Sequence, residues 1–154
     1  MATVSSTIRQ NIRQLELFTS LSDDEIDILL KHAKIHSLVE EEILFNEGDD
    51  GDFFAIVIEG LIEIRKQGDT EQPITIATLS SGATLGEMSL IDYEKRSASA
   101  IAAQPSTLFI LSRQSFDTLV DQSPRCGVTL IRKIATILCA TLRRTSTMFT
   151  DSLD

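Results

Sequence analysis

Residues 85–99 of this chain have the types and spacing to hold an anion beside a hydroxyl donor. The segment reads Leu85-Gly-Glu-Met-Ser-Leu-Ile-Asp-Tyr-Glu-Lys-Arg-Ser-Ala-Ser99. Gly86 and Glu87 interrupt a β-rich pattern, an apolar-rich turn of helix follows over Met88–Ile91, and Arg96 stands just before a strand. A helix N-terminus offers unpaired backbone N–H groups and a partial positive charge. Arg96 adds a planar fork of donors that matches a phosphate. Glu87, a carboxylate, would be repelled by a bare phosphate but accepts from a sugar hydroxyl. A phosphate and a ribose hydroxyl held side by side describe a nucleotide. It is one of low charge, because the segment supplies one arginine.

Other chemistry-bearing residues do not build a site. His32 and His36 lie four apart, but no third metal ligand accompanies them. The acidic run Glu47–Asp52 is too short for an EF-hand and has the wrong ligand order, so it reads as a solvated turn. Ser97 and Ser99 have no neighbouring histidine or aspartate of triad character. An enzymatic cupin barrel would carry several histidines on its strands, and none follows His36. The expectation is a binding module with no catalytic residue, no metal ligand and no cofactor.

Composition narrows the partners. A chain of 154 residues forms one domain, or one domain with an appended helix. Its 14 Lys+Arg against 23 Asp+Glu leave a net charge of −9, which gives no long-range attraction for nucleic-acid backbones. With no Trp and one Tyr, it also lacks stacking platforms for single strands. Direct nucleic-acid binding is therefore not expected. No apolar run approaches the roughly 20 residues that span a bilayer, and Met1–Gln10 has no apolar signal core. Cys126 and Cys139 fit a reducing compartment. A cytoplasmic location and no membrane partner are the expectation.

The elements that must position residues 85–99 are helical at both ends and β-rich between. Ile8, Ile12, Leu15 and Leu17-Phe18 predict a short amphipathic helix running into a loop. Ser22-Asp-Asp-Glu25 predicts a capping box that opens a second helix, ending near His32. Short β-rich runs then appear at Ile43–Phe45, Phe53–Ile58, Leu61–Arg65, Ile74–Leu79, Ala98–Ala102 and Thr107–Leu111, most of them joined by Gly-, Asp-, Asn- or Pro-bearing turns. About six to eight such strands predict a closed sandwich, jelly roll or barrel. Ser112 is a good N-cap for a helix over Arg113–Gln122. Ser123-Pro124 opens a last helix that could continue to about Met148.

The ordered set of motifs resembles the cyclic nucleotide-binding domain family, including the cAMP receptor proteins and the regulatory subunits of protein kinase A. The family's phosphate-binding cassette has Gly-Glu, then Leu/Ile-Ala-Leu, a short loop, and Arg followed by small residues. This chain reads Gly86-Glu87-Met88-Ser89-Leu90, then Arg96-Ser97-Ala98-Ser99, with the arginine nine positions after the glutamate. Ile43-Leu-Phe-Asn-Glu-Gly-Asp-Asp-Gly-Asp52, Phe53–Gly60 and Leu111–Phe116 match further family segments, so the likeness runs over about residues 12 to 145. Lys95 stands where many members have proline, and Ser89 where Ala or Gly is commoner. Neither change removes a ligand donor.

The resemblance implies a fold that is mainly β with flanking helices. It is an antiparallel β-roll (jelly-roll-like, a double-stranded β-helix) with N-terminal helices over 1–32, the roll and its cassette over 33–112, and a C-terminal helical lid over 113–150. It implies cAMP as ligand, with cGMP left open because Ser97 is chemically close to the threonine that cGMP-preferring members carry there. Glu87 and the Gly86 backbone would take the ribose 2′-hydroxyl. The N–H groups of Ser89 and neighbours such as Met88 would hold the cyclic phosphate, Arg96 its exocyclic oxygens, with Ser97 adding an N–H. Leu85, Ile62 and Ala98 would line the pocket, and Thr141 would contact adenine.

The last helix carries two apolar stripes. Val128, Ile131, Ala135, Leu138, Leu142, Thr145 and Phe149 follow a heptad seam, and Leu130, Ile134, Ile137 and Thr141 lie beside it. One stripe is expected to pack on the roll and ligand, the other to form a parallel homodimer seam over Val128–Phe149. A single broad stripe in a monomer is the alternative. The sequence reads as a cyclic-nucleotide sensor that signals by moving this helix, with its downstream protein partner unknown. The alternatives are a scaffold that keeps the fold without ligand, or the sensor half of a transcription regulator lacking its DNA-binding domain.

Overall fold

The structure, a computed structural model, describes residues 6–153. The first five residues of the expected N-terminal segment, and Asp154, lie outside the described residues. Helix α1 (Ser6–Gln14) buries Ile12, and a 3-10 turn (Glu16–Phe18) buries Leu17 and Phe18. Helix α2 (Asp23–His32) starts where expected, with the Ser22 hydroxyl accepting from the Glu25 N–H at 3.2 Å. Half of the capping box forms. The Glu25 carboxylate faces Arg125 at 3.9 Å instead of returning to Ser22.

Eight strands follow: β1 (Lys34–Leu38), β2 (Ile43–Phe45), β3 (Phe53–Glu59), β4 (Ile62–Lys66), β5 (Ile74–Leu79), β6 (Thr84–Leu85), β7 (Ser99–Ala102) and β8 (Ser106–Ser112). They form two four-stranded antiparallel sheets, ordered β1-β8-β3-β6 and β2-β7-β4-β5. This is the expected β-roll with flanking helices. Strands β1 and β6 were not expected. In the edge strand β1 only Leu38 is buried, so no hydrophobic alternation marks it. Strand β6 has two residues, too few for a pattern.

The unbroken apolar run of β3 has a physical cause, because both faces of this strand are covered. Phe54, Ile56 and Ile58 join α1, α2, α4 and α5 in a helical core, while Ala55 and Val57 point into the roll with Ile62, Leu85, Ala100, Ala102 and Leu108. Strand β8 divides the same way, with Phe109 and Leu111 toward the helices and Leu108 toward the roll.

Helix α4 (Arg113–Gln122) has Ser112 as N-cap, accepting from the Ser115 N–H at 3.0 Å. Helix α5 (Pro124–Asp151) runs slightly past the expected end and buries Cys126, Gly127, Leu130 and Ile134 in the helical core, on the far side of β3 and β8 from the roll interior. Ile137 and Leu138 pack partly against that core. Leu138 therefore departs from the outward seam assigned to it, and Thr141 from the inward stripe, since Thr141 is exposed. Every described residue from Cys139 onward is exposed. Among the described residues no helix is long and apolar enough to cross a membrane.

Candidate functional site

Helix α3 (Glu87–Asp92) sits between β6 and the loop leading to Arg96. Gly86, its N-cap, has φ of 74°, a left-handed conformation that glycine adopts without steric cost. That turn brings the Gly86 carbonyl to the Arg96 side chain. Arg96 is 4% exposed, and its Nη1 donates to Gly86 O at 3.2 Å and its Nη2 to Phe53 O at 2.6 Å. The guanidinium carbon lies 4.1 Å from the Phe45 ring centre and 4.6 Å from that of Phe53. Two aromatic faces thus hold a desolvated cation in place. Its Nε is buried without a hydrogen-bond partner.

Glu87 is partly buried at the first position of α3. Burial pushes its carboxyl above the usual range, against opposing pulls from its own backbone N–H and from the Arg96 cation. Burial likewise lowers the Arg96 pKa, with Asp52, Asp49 and Glu87 opposing and Arg113 adding to the effect. Glu87 and Arg96 thus stand as one carboxylate and one guanidinium in a shared, partly dry environment. The set can accept from a hydroxyl and donate to a monoanion.

Of the sequence-predicted residues, the structure brings Gly86 and Glu87 to Arg96. Leu85, Ser89 and Ala98 are buried, Leu85 among the roll-interior residues. Met88 is 53% exposed, so a role for it rests on its backbone. Ser97 is exposed, and its carbonyl accepts from Lys66 Nζ at 2.6 Å. Thr141 is not brought to this group. Its hydroxyl donates to Ile137 O at 3.1 Å, and no hydrogen bond joins it to residues 85–99 among the described residues. Of the residues set aside, His32 shares a 2.9 Å hydrogen bond with Gln122.

Two parts of the site went unseen in the sequence. The acidic segment Glu47–Asp52 is a solvated turn as expected, with Gly48, Asp49, Asp50 and Asp52 exposed, but its backbone also borders residues 85–99. Gly48 N–H donates to Arg96 O and Arg96 N–H to Asp49 O, both at 2.8 Å. Asp50 and Lys95 pair as an isolated bridge, and the Lys95 ammonium meets the Asp50 carboxylate at 2.5 Å. A Cβ at Gly51 would collide with the Ser89 side chain and lie 3.1 Å from Glu94 O, so only glycine permits this approach. The second part is Arg113. Its guanidinium donates to Gly51 O and, at 2.9 Å, to Ser89 O, from outside residues 85–99. Surface cavities of about 310 Å³ beside Leu17 and Lys133, and of about 390 Å³ beside Val39 and Pro105, lie away from these residues.

Comparison with known proteins identifies the family. The family model described as cyclic nucleotide-binding domain matches residues 35–123, more than half of the chain. The cyclic AMP receptor protein of Thermus thermophilus is 32% identical over 108 residues, covering 70% of this chain and 50% of that protein. The human cGMP-dependent protein kinase 2 is 25% identical over 114 residues, covering 73% of this chain and 15% of that protein. The crystal structure of a cyclic nucleotide-binding domain from Methylobacillus flagellatus superposes with a TM-score of 0.82 at 28% identity, covering 94% of this chain and 82% of that one. The chain spans half or less of the length of these curated relatives.

Proposed function

The chain belongs to the cyclic nucleotide-binding domain family, and from that premise we propose that it is a regulatory sensor for a cyclic mononucleotide, with cAMP ahead of cGMP. Arg96 carries this reading. A guanidinium has five N–H donors, and here two carbonyls engage Nη1 and Nη2 while the buried Nε has no partner. An unmet buried donor costs about 1–3 kcal/mol. A bound monoanion satisfies it and supplies the counter-charge that the aromatic faces of Phe45 and Phe53 do not.

In the liganded state Arg96 pairs with the exocyclic phosphate oxygens, helped by backbone N–H groups of Met88, Ser89 and Ser97. Glu87 accepts from the ribose 2′-hydroxyl beside the Gly86 backbone. Leu85, Ile62 and Ala98 meet the apolar parts of the nucleotide. Thr141 reaches adenine only if α5 moves, and that movement is the output signal. The module acts by binding rather than catalysis, in the cytoplasm, as a homodimer through Val128–Phe149. Titration calorimetry with cAMP and with cGMP tests the reading. Saturable heat at micromolar or tighter affinity supports it, and silence up to millimolar nucleotide favours the ligand-free scaffold.

A further inference from the structure

Arg113 occupies a position that its own helix does not favour. It is the first residue of α4, where the helix dipole disfavours a cation. No ion pair engages it among the described residues. Its Nε is buried and unpartnered. What its side chain does touch belongs to two other segments. One Nη donates both to Gly51 O, in the turn that walls the cassette, and to Ser89 O, in α3. The flat guanidinium covers the Tyr93 ring, 4.2 Å from its centre.

Tyr93 closes α3 in a left-handed conformation, φ 63°, which is strained for a residue with a side chain. Its N–H donates to the same Ser89 carbonyl, at 3.2 Å. One cation thus covers the strained cap, shares its acceptor and ties both to the turn at Gly51. The Arg113 backbone N–H adds a bond to Asp52 O at 2.7 Å. Three segments, the turn 48–52, α3 and the β8–α4 junction, meet at this residue. Without the guanidinium, Ser89 O keeps only the Tyr93 N–H, and the strained cap loses its cover.

We propose that Arg113 is a positioning residue for the nucleotide site, clamping α3 against the turn at Gly51 so that Glu87 and Arg96 keep their places. The inference rests on the proposed function. It adds that ligand residence time is set in part by a residue on the first turn of α4, outside residues 85–99. Because α4 packs against α5, the same clamp joins the cassette to the helices that respond to it.

The test uses Arg113→Ala and Arg113→Lys in the full chain, read by amide hydrogen exchange without ligand and by nucleotide dissociation kinetics. Arg113→Ala is expected to speed exchange over residues 87–93 about tenfold or more while residues 53–58 and 107–111 stay unchanged. Dissociation of cAMP, or of cGMP if the wild type binds that instead, should accelerate about tenfold, with association within about threefold. Lysine can reach a carbonyl but cannot cover the Tyr93 ring as a plane, so Arg113→Lys should recover part of both effects. Unchanged exchange over 87–93, or acceleration spread across both sheets, overturns the proposal, because the residue is then idle or merely structural. If the wild type binds nucleotide and Arg113→Ala releases it at the wild-type rate, the proposal fails alone. If the wild type binds neither nucleotide, the proposed function falls and takes the binding role of Arg113 with it, and the exchange pattern still decides whether the clamp exists.

Discussion

The Gly86 carbonyl accepts from Arg96 Nη1 at 3.2 Å only because Gly86 has no side chain: a Cβ there would collide with that same nitrogen. The buried Arg96 cation and the glycine that opens α3 are thus fitted to each other rather than independently placed. Gly86→Ala is expected to weaken nucleotide binding about tenfold or more, since Arg96 must leave its carbonyl and its aromatic sandwich. Gly82→Ala is the control. Gly82 also has a left-handed φ, 92°, but a Cβ there meets nothing within 4 Å. Both variants should lose roughly 1–3 kcal/mol of stability from backbone strain, and only Gly86→Ala should lose affinity. Equal affinity in the two variants would refute the fit.

Arg96→Ala should cost binding more than any other single change in the cassette. Removing the counter-charge of a buried monoanion costs about 2–4 kcal/mol, or roughly 30- to 700-fold in affinity. Arg96→Lys should recover part, because an ammonium cannot make the bidentate contact. The side chain is 4% exposed and bonded to Gly86 O and Phe53 O, so the alanine variant should also melt a few degrees lower without ligand. Calorimetry and thermal melts with and without nucleotide separate the two effects. A wild-type affinity in Arg96→Ala would overturn the assignment of the site.

What could be read in the sequence follows the range of the interactions. The Ser22 and Ser112 caps, the span of α4 and the Gly86-Glu87…Arg96 spacing are local signals, and each appears in the structure where expected. The wall of the cassette is not local. Asp50 meets Lys95, and Gly51 meets Ser89, across a sequence separation that no periodicity or turn rule reports. A run of acidic and glycine residues looks the same whether it faces water or a helix. Arg113 had left a trace. A cation on the first turn of a helix is a local misfit, and such misfits mark positions held by tertiary contacts. The placement of Thr141 depends on the direction a long, exposed helix takes, which local sequence does not encode.

Glu87→Gln should separate ligand recognition from stability. Burial raises the Glu87 pKa in the folded protein and outweighs the pull of Arg96. The contribution of this group to stability is therefore full below its unfolded value, near 4.5, and is lost as pH rises through the raised folded value. At pH 7 the ligand-free glutamine variant should melt above the wild type, because its amide carries no charge to desolvate. That advantage should shrink toward zero as the pH approaches 4.5. Binding should weaken modestly, because the amide oxygen still accepts from the ribose hydroxyl. A melting difference independent of pH would show that the carboxyl is not destabilised by its surroundings.

The exposed end of α5 predicts a second copy of the chain. Leu142 is 70% exposed, Met148 66% and Phe149 65%, and among the described residues nothing covers the helix from Cys139 onward. This stretch continues the packed first half of α5, and three large apolar side chains on it lie open to water. Leu142 and Phe149 share the heptad seam, so a parallel partner would place like residues opposite each other. Leu142→Glu with Phe149→Glu sets like charges across that seam and leaves Leu138, which packs on the helical core, untouched. Sedimentation should show a dimer for the wild type at micromolar concentration and a monomer for the double variant. The variant should also lose amide protection over residues 139–151 while the sheets keep theirs. A wild type that sediments as a monomer at high micromolar concentration would refute the seam.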